Sequence, residues 1–236
     1  MSKAFVTEAE AVSPVIEELA PDASTLILVF GGIKGAMGMP TFEFYKSTSI
    51  LNQHRIFFRD LSQHWYHSGL SGITQDIIQT KDYIQALIDR IKPLETIFVG
   101  NSMGGYAAIL FSTLLNTGRV VAFSPQTFIS PVKKFQSRDF RWKLPTLSTY
   151  LYTLTKPRYF DLSNLLEQSK QENPIDLHVS SFDTLDMQHA DNIASFTNVR
   201  IHTHALGGHN LVMHLRDNGS LHAILRDSYS HPEEAR

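Results

Sequence analysis

The stretch "FVGNSMGGYAAIL", residues 98–110, decides the fold. It holds a serine between two glycines in the spacing Gly100-x-Ser102-x-Gly104, directly after an apolar run and before a segment that suits a helix. A sharp strand-to-helix turn exposes such a serine in a strained conformation and leaves no room for a Cβ on either flanking residue. The pattern therefore predicts that Ser102 is a nucleophile rather than part of an ordinary glycine-rich turn.

Strand-like and helix-like segments alternate around this turn. The predicted strands are short runs rich in Val, Ile and Phe, several of them apolar throughout, at residues 25–30, 54–60, 95–100, 119–125, 175–181 and 199–206. The predicted helices cover residues 74–93 (Thr74 as N-cap, Pro93 beyond the end), 103–116 and 187–196. This alternation predicts an α/β fold, in which a mostly parallel sheet is flanked by helices on both faces.

Length and composition favour a single globular domain over residues 1–236, because 42% of the residues are hydrophobic and 19% are charged. A formal net charge of -2 gives no reason to expect a nucleic-acid partner. The absence of cysteine excludes disulfides, thiolate zinc sites and cysteine nucleophiles. The sequence begins without a secretory signal, and its longest apolar stretch is too short to span a bilayer, so we expect a cytoplasmic protein.

Four motifs together resemble the α/β-hydrolase superfamily. They are "VFGGIKG" (residues 29–35), "GNSMGG" (100–105), "SSFDTLD" (180–186) and "LGGHN" (206–210), and the resemblance extends from about residue 25 to about residue 225. It implies the α/β-hydrolase fold and a catalytic serine, acid and histidine in that chain order. It does not imply a particular substrate.

The base that Ser102 requires is predicted to be His209, one of 11 histidines. His209 follows the last predicted strand, and two glycines before it allow a tight turn toward the serine. His202 and His204 share one face of that strand, which favours a packing role. The spacing His-x-His-x-x-x-x-His is also an alternative metal arrangement, but no companion motif accompanies it. We therefore expect neither a metal nor another cofactor.

Two aspartates follow the strand at residues 175–181, and either one could orient the imidazole of His209. Asp183 is preferred because it is closer to the end of the strand and resembles the usual family placement. Asp186 is the alternative acid. It could instead serve the N-terminus of the helix at residues 187–196, where a carboxylate meets unpaired backbone N–H groups.

The oxyanion of an acyl-transfer reaction needs two donors. The backbone N–H of Met103 is one candidate, and the resemblance implies that the second is the N–H of Gly32, with that of Ile33 as an alternative. The competing interpretation of Gly31 and Gly32 is an ordinary turn at the end of a strand. The side chain of Ile33 is also a candidate for substrate binding.

Residues 126–174 are predicted to form an inserted cap or lid. This segment carries a net charge of +4, from eight basic and four acidic residues, and it contains eight aromatic residues, including Trp142 as a candidate substrate contact. Such a segment suits a substrate with an acyl or aryl part and an anionic group, or a lipid headgroup surface. The competing interpretation is a solvated helical insertion whose aromatic side chains pack on the core.

The sequence thus predicts a serine hydrolase that cleaves a small-molecule carboxylic ester or thioester through an acyl-serine intermediate. An acyltransferase with the same three residues is one alternative, and a catalytically silent binding protein is another. A metal-dependent hydrolase is the fourth interpretation. Neither the acyl chain nor the oligomeric state follows from the sequence.

Overall fold

The computed structural model describes residues 13–33, 44–156, 158–169 and 172–228. Seven strands form one sheet: β1 (Val15–Glu18), β2 (Thr25–Phe30), β3 (His54–Phe58), β4 (Glu95–Asn101), β5 (Arg119–Phe123), β6 (Ile175–Ser180) and β7 (Val199–His204). Their order across the sheet is β1-β3-β2-β4-β5-β6-β7. β1 pairs with β3 antiparallel and all other neighbours are parallel, which confirms the predicted mostly parallel sheet.

Helices connect the strands. Among the described residues they are α1 (Tyr45–Thr48), α2 (Ile77–Ile91), α3 (Met103–Leu115), α4 (Pro131–Gln136), α5 (Lys143–Tyr152), α6 (Leu162–Ser169), α7 (Thr184–Asp191), α8 (Leu211–Asp217) and α9 (Ser220–Asp227), with a 3₁₀ turn at Gly208–Asn210. Three of them, α4 to α6, lie in the segment between β5 and β6 that was predicted to be an insertion. None of the helices in the described ranges is long and apolar enough to cross a bilayer.

Two helix starts differ from the prediction. α2 begins at Ile77, and its N-cap is Asp76, which accepts the N–H of Gln79; Thr74 instead accepts the N–H of Leu70. α7 begins at Thr184, three residues before the predicted start, because Asp183 caps it. The second shift changes the roles of the two candidate acids.

Apolar residues fill both faces of the central strands. In β2, Leu26, Leu28 and Phe30 belong to one apolar cluster, whereas Ile27 and Val29 belong to the cluster on the opposite face. Every residue of β2 is buried, as expected for a parallel strand covered on both sides. The sheet therefore provides a rigid edge from which the loops of the site project.

The turn between β4 and α3 is as tight as the glycine spacing predicts. A Cβ on Gly100 would lie 2.1 Å from the carbonyl oxygen of Gly104, and a Cβ on Gly104 would lie 2.0 Å from that of Phe30. No other residue fits either position without moving the backbone. The helix that follows Ser102 is thus pressed against the end of β2.

Buried His67 should make stability depend on pH. Its Nδ1 contacts the carbonyl of His64 and its Nε2 accepts the N–H of Tyr159, and burial lowers its pKa to about 4. The imidazole of His67 binds a proton more readily in the unfolded chain than in the folded protein. The free energy of unfolding is therefore unaffected by this group above about pH 6.5 and falls as the pH drops toward 4. Between pH 7 and 4.5, we expect the unfolding free energy of the wild type to fall by about 2–3 kcal/mol more than that of His67→Gln, as measured by urea denaturation. Equal losses in the variant and the wild type would contradict this.

Candidate active site

Ser102 occupies the turn between β4 and α3 with φ 55° and ψ -116°. A positive φ is strained for a residue with a Cβ, and the surrounding hydrogen bonds hold it in place. Its N–H donates to the carbonyl of Phe123 (2.9 Å), and its carbonyl accepts the N–H groups of Tyr106 (3.1 Å) and Gln126 (3.2 Å). The backbone is therefore fixed on three sides, which leaves the hydroxyl to face the loop after β7.

That loop brings His209 to the serine. Gly207 (φ 84°) and Gly208 (φ 54°) both adopt the left-handed conformation, and the Gly208 N–H donates to the hydroxyl of Ser180 (3.1 Å). The Nε2 atom of His209 then lies 3.1 Å from the Oγ atom of Ser102. The two residues that the sequence paired as nucleophile and base are thus within hydrogen-bonding distance.

The carboxylate that contacts His209 is that of Asp186, not that of Asp183. The two oxygens of Asp186 lie 2.8 and 2.9 Å from His209 Nδ1. Asp183, the residue preferred from the sequence, accepts the N–H groups of Leu185 and Asp186 instead. The structure differs from the preferred arrangement because α7 begins three residues earlier than predicted, so Asp183 caps the helix and Asp186 turns toward His209.

Asp186 is held in its charged form. Complete burial by itself would raise its pKa, but the hydrogen bond from His209 and the guanidinium of Arg141 outweigh burial, and the pKa lies below its ordinary value. An ionised carboxylate accepts hydrogen bonds only, so Nδ1 of His209 carries the proton. Nε2 is then left free to accept the proton of Ser102.

Arg141 reaches this carboxylate from the insertion, and sequence reasoning did not identify it as a site residue. Its Nη1 donates to Asp186 Oδ1 (2.8 Å), while its Nε and Nη2 donate to the two oxygens of Asp139 (both 3.0 Å). Nη1 also lies 3.3 Å from His209 Nδ1, but both atoms carry hydrogens, so its hydrogen bond goes to Asp186. The guanidinium is thus fixed between two buried carboxylates.

A second histidine completes the network behind Asp139. The Thr127 N–H donates to His189 Nδ1 (3.2 Å), so the ring proton is on Nε2, which lies 3.0 Å from Asp139 Oδ2. Burial lowers the pKa of His189, which favours this neutral form. A continuous chain of hydrogen bonds therefore connects Ser102 to Thr127, in the loop after β5.

The candidate oxyanion donors belong to the start of α3 and to the loop after β2, two segments that meet at Gly104. Met103 begins α3, where backbone N–H groups have no partner within the helix. Gly32 is the second residue after β2, next to the strand end against which Gly104 is pressed. Ile33 is buried in the apolar cluster on one face of the sheet. The later residues of the "VFGGIKG" motif, Lys34 and Gly35, lie outside the described residues.

The loop after β3 supports this edge of the sheet. Asp60 accepts the N–H groups of Ser62, His64 and Tyr66, and burial raises its pKa to about 6. The Tyr66 hydroxyl donates to the carbonyl of Gly31 (3.1 Å). These side chains therefore stabilise the loop and position the end of β2.

Trp142 lies next to Arg141, at the start of α5. It has φ 58° and packs against the same apolar cluster as Ile33, and its buried Nε1 has no hydrogen-bond partner among the described residues. Its assignment as a substrate contact stays a prediction.

The alternative histidine set does not converge. His204 Nε2 lies 3.1 Å from His178 Nδ1, and His202 Nε2 lies 2.9 Å from Asp176 Oδ1, whereas His209 contacts Ser102 and Asp186. In the described part of the chain, the acidic and histidine side chains close enough to share a cation are Asp183, Asp186 and His209, with ligand atoms within 4.8 Å. The charge of Arg141 beside Asp186 opposes a cation at that point.

Neither a scan against protein-family models nor a search of curated proteins finds a match to this sequence. Solved structures with a similar fold include FphF, a fluorophosphonate-binding serine hydrolase of Staphylococcus aureus (TM-score 0.64, 15% identity, 92% of each chain covered). The capsule O-acetyltransferase of Neisseria meningitidis serogroup A is also similar (TM-score 0.62, 15% identity, 87% of this chain and 89% of that chain). MGS-MChE2, an α/β-hydrolase enzyme from a lagoon-sediment metagenome, is similar as well (TM-score 0.57, 15% identity, 90% of this chain and 94% of that chain). The chain therefore has the α/β-hydrolase fold.

Proposed function

We propose that the protein is a serine hydrolase that cleaves a carboxylic ester or thioester through an acyl-serine intermediate. The observation that carries this proposal is the chain of contacts from Ser102 Oγ through His209 to the ionised Asp186. A serine hydroxyl becomes nucleophilic when a neutral, oriented imidazole accepts its proton. The strained turn at Ser102 adds support, because strain of this kind is typical of functional positions.

In the proposed mechanism, Ser102 Oγ attacks the carbonyl carbon of the substrate while its proton passes to His209 Nε2. Asp186 stabilises the imidazolium that forms. The N–H groups of Met103 and Gly32 donate to the oxyanion, and the imidazolium then protonates the leaving alcohol or thiol. Water, deprotonated by His209, attacks the acyl-serine and releases the carboxylic acid.

Residues 126–174 act as the cap of this site in our proposal. Arg141 belongs to this segment and contacts Asp186, so the insertion is connected to the reacting groups. We assign acyl binding to the side chains of Ile33 and Trp142, which pack on the same apolar cluster. The substrate is expected to be a small acyl ester or thioester.

A panel of p-nitrophenyl esters and acyl thioesters, graded from acetyl to long acyl chains, tests the proposal. Wild-type protein is expected to turn over part of this series, with a chain-length preference that reports the size of the acyl pocket. His209→Ala should lose the activity because no base then activates Ser102. Turnover that His209→Ala leaves unchanged would rule out the proposed base.

An acyltransferase is the second candidate, since the same three residues can pass the acyl group to an alcohol or amine instead of water. The fold similarity to an enzyme described as an O-acetyltransferase favours testing it. Adding a sugar alcohol to the assay distinguishes the two: a hydrolase releases only the free acid, and a transferase diverts the acyl group to the acceptor. Ligand-induced thermal stabilisation without any turnover would instead favour the silent binding protein.

Arg141→Gln should change the pH dependence of this activity. The guanidinium neutralises part of the charge of Asp186, so removing it strengthens the attraction between the carboxylate and the protonated imidazole. We expect the acidic limb of the kcat/KM profile to move to higher pH in Arg141→Gln, and Arg141→Lys, which keeps the positive charge, to reverse part of that movement. A lower kcat/KM with an unmoved acidic limb would show that Arg141 only supports the fold.

A further inference from the structure

Helix α5 of the insertion faces solvent with its apolar side. Leu144, Leu147 and Leu151 are 79%, 54% and 63% exposed, and Leu154, just beyond the helix, is 65% exposed. Their spacing of three and four residues places them on one helical face. Of the 13 large apolar side chains that are exposed within the described ranges, seven lie between residues 132 and 154.

The face of α5 that packs against the protein is formed by threonines. Thr146, Thr149 and Thr153 are buried, and the hydroxyls of the latter two donate to carbonyls of the preceding turn. A helix that serves only the fold of a water-soluble domain buries its leucines and exposes its polar residues. Helix α5 shows the reverse of that pattern, so its leucines are available for a contact that the described residues do not provide.

Contacts with the rest of the protein hold the helix in this orientation. Ser148 Oγ lies 2.8 Å from His64 Nε2, and the Tyr152 hydroxyl donates to the carbonyl of Gln75 (2.9 Å). These bonds attach both the middle and the end of α5 to the body. These polar contacts, on a neighbouring side of the helix, therefore hold α5 with its leucines facing outward.

Positive charge surrounds the leucine face. Residues 130–158 contain seven Lys and Arg residues and one acidic residue, Asp139, which is buried. Arg138 and Lys143 flank the start of α5, and Lys156 and Arg158 follow its end. Among the described residues none of these four forms an ion pair. The exposed surface of this segment thus presents cations and apolar side chains without a carboxylate.

We propose that helix α5 docks on an anionic lipid surface through its leucine face. Protruding leucines can enter the boundary between headgroups and acyl chains, while the flanking cations contact the anionic headgroups. Exposures above one half describe a ridge rather than a groove that receives a peptide. A second copy bound through the same face by two-fold symmetry would bring equal positive charges together, which disfavours that occupant.

Sedimentation of the full chain with vesicles tests the proposal independently of any hydrolytic activity. Vesicles with about one-third phosphatidylglycerol are expected to bind the protein about tenfold more tightly than pure phosphatidylcholine vesicles at low salt. The triple variant Leu144→Gln, Leu147→Gln, Leu151→Gln should lose about tenfold or more of this binding. The matched control is Leu19→Gln, Ile50→Gln, Leu94→Gln, which replaces equally exposed apolar side chains elsewhere and should bind like wild type.

A second variant, Arg138→Gln with Lys143→Gln, keeps the leucines and tests the charge separately. It should weaken binding to the anionic vesicles only. Three results would overturn the proposal: no binding to either vesicle, equal binding to both, or equal losses in the triple variant and its control. Light scattering could give a fourth result that overturns the proposal. If the wild type is a dimer and the triple variant is a monomer, the leucine face binds a second copy of the chain.

Discussion

Replacing Ser102 by alanine is expected to lower the proposed esterase activity by about 10⁴-fold or more, to the level that binding and the oxyanion donors alone provide. The alanine lacks the Oγ that lies 3.1 Å from His209 Nε2, so no acyl intermediate can form. The loss should appear in kcat, because in the proposed mechanism the hydroxyl takes part in the chemical step rather than in substrate binding. Steady-state kinetics on the best substrate of the acyl panel would measure it.

The fold should survive this change, since the backbone bonds of Ser102 to Phe123, Tyr106 and Gln126 do not involve the side chain. An unchanged thermal unfolding temperature provides that control. The substitution adds no atom to the turn, so it creates no clash of the kind that Gly100 and Gly104 avoid. Residual activity within tenfold of wild type in a folded variant would mean that another residue is the nucleophile.

Asp186→Asn is expected to reduce kcat by about 10⁴-fold, whereas Asp183→Asn should leave it within a few fold of wild type. An asparagine at position 186 cannot stabilise the imidazolium, and its amide can favour the wrong tautomer of His209. An asparagine at position 183 still caps α7, because asparagine is as effective an N-cap as aspartate. The two variants remove one carboxylate each from neighbouring positions, so each is the control for the other.

This pair separates the two candidate acids directly. The contact distances and the lowered pKa of Asp186 support position 186. A large loss in Asp183→Asn together with an active Asp186→Asn would restore the assignment favoured from the sequence. Measuring kcat of both variants at several pH values also shows whether any loss depends on the ionisation of His209.

The central strands were predictable because each is a short apolar run, as burial on both faces requires. The turn at Ser102 was predictable because its steric demand appears directly as two glycines. β1 (Val15–Glu18) was not predicted: it is only four residues long, pairs along one side and contains two glutamates. Short, half-exposed edge strands leave no distinct pattern in a single sequence.

The candidate acid Asp186 and its partner Arg141 illustrate what local sequence patterns do not determine. Asp183 and Asp186 differ by three residues, so a shift of that size in the helix start exchanges their roles. Arg141 meets Asp186 across 45 residues of chain. From the sequence it was one of several basic residues of the insertion, and only the packing of that segment against α7 distinguishes it.

Intact-mass analysis after exposure to a fluorophosphonate, followed by peptide mapping, tests the central claim most directly. We expect one covalent adduct per wild-type chain, located on Ser102, slower labelling of His209→Ala, and none of Ser102→Ala. The reagent needs only an activated serine and an open site, so the result does not depend on having found the natural substrate. Wild-type protein that stays unlabelled, or Ser102→Ala that is labelled to the same extent, would contradict the assignment of Ser102 as the nucleophile.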